Sequence, residues 1–260
     1  MARRTALATF KACALAVVLF GWCLAPASAH EPINLDNTRP TPGIRLELVE
    51  VPSDTAQPSE APGYRLAATG LPAGVVFGVW TRPFGHGFHE VATGFHLNGA
   101  GRLAPARGDG AAGPQYLDQM VFRPEAHPRD AVAYPRGAVW EVALVSADHK
   151  ITAFAKVVPR PILAQDGPCT VSLLLVSFRG ERYVATGSGF APGADVMVES
   201  RYADRVSRQQ RRVSADGVLP PDVIALASIA DDRTARYSVK GRHCEVTLEY
   251  VWGVPALLGR

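Results

Sequence analysis

Residues 185–201, "ATGSGFAPGADVMVESR", decide how this chain is read. Small residues lead up to Phe190, Pro192-Gly193 has the composition of a turn, and Val196 and Val198 then stand two apart. Side chains alternate across a strand, so residues two apart share a face. Pro-Gly marks a turn. The stretch therefore reads as strand, bend and strand, with Phe190 placed to plug the end of a β-sandwich. Residues 68–82, "ATGLPAGVVFGVWTR", follow the same plan. With two extra residues allowed in the later copy after the shared Ala-Thr-Gly, Leu71 meets Phe190, Gly74 meets Gly193, Val79 meets Val198 and Arg82 meets Arg201. A second correspondence follows in the same order. "GAVWEVAL" from Gly137 matches "GRHCEVTL" from Gly241, pairing Glu141, Val142 and Leu144 with Glu245, Val246 and Leu248. Two ordered matches argue for tandem duplication.

Outward from these motifs the chain reads as strands throughout. Its 24 Gly and 21 Pro are spread along the length and separate short apolar or alternating runs. These runs are 44–51, 64–68, 75–81, 139–145 and 151–158 in the first half, and 169–177, 182–186, 195–199, 223–227 and 244–252 in the second. Runs of this length bounded by turn residues are the pattern of a sandwich or barrel. The prolines of "VVPRPILAQDGP" disfavour a continuous ladder and place the join between halves there.

The "GSGFAPGADVMV" stretch resembles bacterial immunoglobulin-like repeats, including those of the plexin and transcription-factor type, in which a Gly-rich bend and an F-x-P-G-x-x-V-x-V pattern recur. The resemblance is of superfamily specificity. It implies an all-β chain of two tandem immunoglobulin-like β-sandwich domains, 30–160 and 161–260, and a fold used for binding, adhesion and spacing. Fold alone does not fix function.

Residues 1–29 read as a cleaved signal peptide. Arg3, Arg4 and Lys11 precede an apolar run, and Ala27-Ser28-Ala29 is an A-x-A cleavage site. The run is too short to span a bilayer, and no transmembrane segment is expected in the mature chain. The chain is thus expected to be periplasmic or secreted, beginning at His30. The full sequence has 27 basic and 24 acidic residues, and removal of the three leader cations leaves 24 of each. A global pull toward nucleic acid is therefore excluded. Cys13 and Cys23 leave with the leader, and Cys169 and Cys244 are expected to form one disulfide in an oxidising compartment. A two-thiolate metal site is the rival reading, without CxxC spacing to favour it.

Catalytic signatures are scarce. Gly187-Ser188-Gly189 lacks the outer glycines of a nucleophile elbow. Gly108, Gly110 and Gly113 spell G-x-G-x-x-G, but Pro114 follows and no strand leads in, so a loop is the reading. That loop also holds Arg107-Gly108-Asp109, a tripeptide found in some adhesive proteins. In "RYADRVSRQQRRVSADG", Arg201, Arg205, Arg208, Arg211 and Arg212 form a candidate polyanion-binding hairpin with its turn near Ser207 to Gln210. Guanidinium forks suit phosphate and carboxylate. The competing reading is a solvated hairpin whose charges guard an edge strand.

"GHGFHEVATGFH" places His86, His89 and His96 within one short segment. With the terminal amine and imidazole of His30, they are the candidate ligands for copper or zinc. The alternative is a polar connection rich in histidine, and no cofactor is expected on that reading. The chain is therefore expected to be a non-enzymatic binding or adhesion-type protein with a protein or glycan partner in the cell envelope. A metal-binding protein or metal-dependent enzyme using His86 and His89, and a structural spacer in an envelope assembly, are the alternatives.

Overall fold

The computed structural model describes residues 34–52, 61–105, 116–125, 133–227 and 232–259. The expected leader, His30, the Arg107-Gly108-Asp109 tripeptide and the G-x-G-x-x-G loop lie outside the described residues. From Asn34 onward the chain forms one compact unit.

A one-turn 3-10 helix at Leu35–Asn37 is capped by Asn34, whose Oδ1 accepts the Asp36 N–H at 3.1 Å. Strands follow at Arg45–Val51 (β1), Gly63–Thr69 (β2), Val76–Arg82 (β3), His89–Leu97 (β4) and Leu103–Pro105 (β5). After a second 3-10 turn at Leu117–Gln119 come Trp140–Ser146 (β6) and Thr152–Val157 (β7). The later strands are Ile162–Asp166 (β8), Cys169–Leu175 (β9), Arg182–Ser188 (β10) and Asp195–Tyr202 (β11). Arg205–Arg212 (β12), Leu219–Ala225 (β13), Thr234–Lys240 (β14) and Glu245–Val251 (β15) follow, with one helical turn at Val254–Leu257 (α1). The chain is all-β.

The sheets run β1-β2, β5-β4-β3-β6-β7, β13-β10-β9-β8 and β12-β11-β14-β15, and all their ladders are antiparallel. Apolar alternates face inward. Cys169, Val171, Leu173 and Leu175 of β9 are buried, as are Val246, Leu248 and Tyr250 of β15. These side chains and those of the first two sheets meet in one contiguous hydrophobic cluster, an arrangement consistent with β-sandwich packing. Phe190, 3% exposed, and Val196 and Val198 lie in it, as the opening motif requires. A disulfide joins Cys169 to Cys244 across the two later sheets, with Cα atoms 6.3 Å apart.

Pairing order repeats along the chain, but not as the sequence matches imply. Gly70 (φ 78°) ends β2 where an added Cβ would sit 2.1 Å from the carbonyl oxygen of Gly43, just before β1. Gly189 (φ 78°) ends β10 where a Cβ would sit 1.9 Å from the carbonyl oxygen of Pro168, just before β9. The two glycines do the same job, and their separation in sequence equals that of Val79 and Val198. The two-residue insertion that the shared Ala-Thr-Gly demanded is absent. The second match fails for a topological reason. β6 lies beside β3, the place that β14 takes beside β11, whereas "GRHCEVTL" enters β15, the counterpart of β7. The two segments look alike because each sets a buried Val and Leu two apart after a Glu, although β6 is buried almost throughout and only β15 alternates.

The join is also shorter than expected. Ile162–Asp166 is a strand, so only residues 158–161 are irregular. Because β8 precedes β9, Cys169 opens the second strand of the later set, not its first. Arg160 donates from Nη1 to the carbonyls of Tyr134 (2.9 Å) and Gly259 (3.2 Å), and its own carbonyl accepts the Gly137 N–H at 2.7 Å. Leu175 N–H donates to the Gly137 carbonyl at 2.9 Å, beside a parallel bridge between Ala138 and Leu175.

Candidate functional site

Apart from tyrosines, the buried polar residues among those described are Thr81, Ser146 and Thr152, so the charged side chains described all reach solvent at least in part. Burial raises the phenols of Tyr134, Tyr183, Tyr237 and Tyr250 well above their ordinary value. That of Tyr64 is pushed up to about 12 by burial and then by Glu50. These tyrosines are neutral structural groups: Tyr183 Oη donates to the Val251 carbonyl at 2.8 Å, and Tyr237 Oη lies 3.2 Å from Asp222 Oδ2.

The arginine segment is a hairpin, but its turn lies at Ala203-Asp204 and not near Ser207 to Gln210. Tyr202 pairs with Arg205 and Arg201 with Val206, and β12 runs unbroken to Arg212. A strand of such low hydrophobicity forms because β11, anchored in the core, gives it a complete ladder. Alternation then divides the five arginines. Arg201, Arg208 and Arg212 share the outer face, where both Arg201 (3.0 Å) and Arg208 (2.6 Å) bind Glu199. Arg208, then Arg201, holds the Glu199 carboxyl below the usual carboxylate range. Arg211 is on the other face, tied to Asp222 at 2.7 Å, and closes the edge between β12 and β13. Arg205 and Arg212 make no ion pair among the described residues. Seven of the eight β12 residues are exposed, so both faces of this edge strand meet solvent. Pro220 and Pro221 interrupt the donor row of the neighbouring edge strand, β13.

Ala203 takes φ 50° in the two-residue turn. An L-residue with a Cβ pays about 1 kcal/mol there. Ala203→Gly should therefore raise the melting temperature by roughly 2–4 °C, and an unchanged or lower value would show that the turn carries no such strain.

The histidines do not converge as a set. His89 opens β4 opposite Thr81, whose Oγ1 lies 3.4 Å from His89 Nε2. His96 pairs with Val76 at the other end of the same hairpin. Val76 and Thr81 are five positions apart on β3, about 17 Å along the strand, far beyond the reach of one ion. His86 lies in the β3–β4 connection, where its N–H donates to the Pro83 carbonyl at 3.1 Å and it lines a small cavity with Phe84 and Phe178. Among the described residues no three His, Cys, Asp or Glu side chains gather into a group able to hold a metal. No helix among the described residues is long and apolar enough to cross a membrane.

A cavity of about 460 Å³ that no sequence motif marks lies at the Tyr202, Thr234 and Val251 ends of the later sheet, lined also by Arg136, Arg201 and Arg236. Arg136 belongs to the loop before β6, and only the fold brings it to β11 and β14.

No protein-family model matches the chain, and no curated protein matches it. Among solved structures, a crystal structure titled as a tetra-tandem repeat in the extending region of a large adhesion protein aligns with 80% of this chain, at 14% identity and a TM-score of 0.26. The alignment covers 48% of that chain, so the present sequence spans about half of its length.

Proposed function

We propose that this is an exported, non-enzymatic binding protein of the cell envelope, built from two tandem immunoglobulin-like β-sandwich domains. It engages an acidic glycan or protein partner through the β11–β12 hairpin. The observation that carries this reading is β12 itself, an edge strand open on both faces with Arg205 and Arg212 unpaired among the described residues. A partner carboxylate or sulfate would gain bidentate bonds there without breaking an internal ion pair. Arg208 adds to the face that carries Arg212, where it shares Glu199 with Arg201, while Arg205 presents its guanidinium on the opposite face of the same edge strand.

Replacing Arg205, Arg208 and Arg212 together by Ala tests the reading on an anionic glycan column. The triple variant should elute at clearly lower salt than the parent, because screened contacts have been removed. Identical elution of the two proteins, both folded by circular dichroism, would rule the hairpin out. A spacer role is a second reading, favoured by the clamped residues 158–161 between the two sets of strands.

A further inference from the structure

The cavity of about 460 Å³ is of a size that holds small ligands, within the roughly 300–1,000 Å³ typical of such sites. Its guanidinium groups are unequally occupied. Arg236 is committed to Glu249 on the neighbouring strand. Arg201 shares Glu199 with Arg208, each taking one carboxylate oxygen, so a single negative charge serves two guanidinium groups. Arg136 makes no ion pair among the described residues. Of the two acids on the wall, Glu249 is held by Arg236, and Asp232 accepts the N–H (2.8 Å) and hydroxyl (2.5 Å) of Thr234.

The position of Arg136 is fixed by its neighbours. Pro135 and Gly137 on either side are buried, and Gly137 (φ 75°) lies so near β9 that an added Cβ would be 2.9 Å from the Leu173 carbonyl oxygen. Both backbone polar groups of Gly137 are engaged, with Arg160 and Leu175. The loop is therefore locked while its one long side chain reaches outward. A second cation stands near it: the Arg160 guanidinium is made easier to deprotonate than usual, first by burial and then by the charge of Arg136. Two like charges held close are unfavourable, and an anion bound in the cavity at Arg136 offsets that repulsion.

We propose that this cavity is a binding site for a small anionic ligand, whose carboxylate, sulfate or phosphate group is clamped by Arg136 and Arg201. Guanidinium forks hold planar and tetrahedral oxyanions alike through paired, charge-assisted hydrogen bonds. Arg136 comes from the earlier set of strands and Arg201 from the later, so the site exists only where the two sets are joined. It does not depend on the β11–β12 hairpin reading, because neither Arg205 nor Arg212 lines it.

Separate titrations with sodium glucuronate, sulfate and inorganic phosphate at low ionic strength, followed by amide chemical shifts, test the proposal. At least one probe should give saturable shifts centred on Arg136, Thr234 and Tyr250, and the tightest of the three identifies the class of oxyanion. Arg136→Gln, which keeps much of the stem and removes the charge, should weaken that titration at least tenfold. Lys240→Gln, at the other end of the same sheet, should leave it unaltered and controls for general surface charge. Absence of saturation with all three probes would overturn the site. So would an unchanged titration in folded Arg136→Gln, or an equal loss in Lys240→Gln. The column experiment on the hairpin can fail while this titration succeeds, and the reverse holds equally.

Discussion

Removing the Cys169–Cys244 bridge is expected to cost about 4 kcal/mol of stability on the chain-entropy account of cross-linking. The bridge closes a loop with a sequence separation of 75, long enough that its loss frees a large part of the unfolded ensemble. It also ties β9 to the start of β15, two strands in different sheets that no ladder connects. Replacing both cysteines by Ala should lower the melting temperature by roughly 8–16 °C for a chain of this size. Non-reducing peptide mass analysis of the parent should find no free thiol at Cys169 or Cys244. Free thiols at Cys169 and Cys244 in oxidised protein, or a melting temperature unmoved by the double substitution, would remove the bridge from the stability of this fold.

Trp140→Ala should have a comparable effect, a loss of about 3–5 kcal/mol. Trp140 is 1% exposed, opens β6 and packs against Tyr64 of the facing sheet, ring centroids 5.6 Å apart. β6 lies between β3 and β7 and leads out of the Gly137–Ala138 contact with β9, so the vacated space cannot collapse cheaply. The measurement is a urea unfolding curve by circular dichroism, since the substitution removes a fluorophore. A loss below about 1 kcal/mol would mean that the neighbours refill the site.

Sequence reading succeeded where burial dictates alternation. Val196 and Val198, Tyr64 and Leu66, and Val246 and Leu248 show their inward face directly in the spacing. It failed at β12, where "RVSRQQRR" has no apolar face and owes its strand to the β11 ladder alone. A turn near Ser207 to Gln210 would gather the five arginines into one patch. With the turn at Ala203-Asp204, parity sends Arg205 and Arg211 to one side and Arg201, Arg208 and Arg212 to the other. β14 was legible in principle, since Ala235, Tyr237 and Val239 alternate, but Arg233 and Arg236 masked it. The register error between copies came from trusting the letters Ala-Thr-Gly over the steric role of glycine: Gly70 and Gly189 are equivalent by what a Cβ would strike. The Arg136 cavity was not legible at all. It joins residues from the loop before β6, β11 and β14, and only tertiary structure brings these together.

The clamp on Arg160 bears on how the chain would behave under tension. Residues 158–161 are too few to act as a swivel, and the backbone and guanidinium of Arg160 hold the loop before β6 and the Gly259 carbonyl near the chain end. A pull between the two ends would meet these hydrogen bonds and the Gly137–Leu175 contact together before any strand peels. Force would then pass between the two sets of strands with no slack at residues 158–161 to take up first.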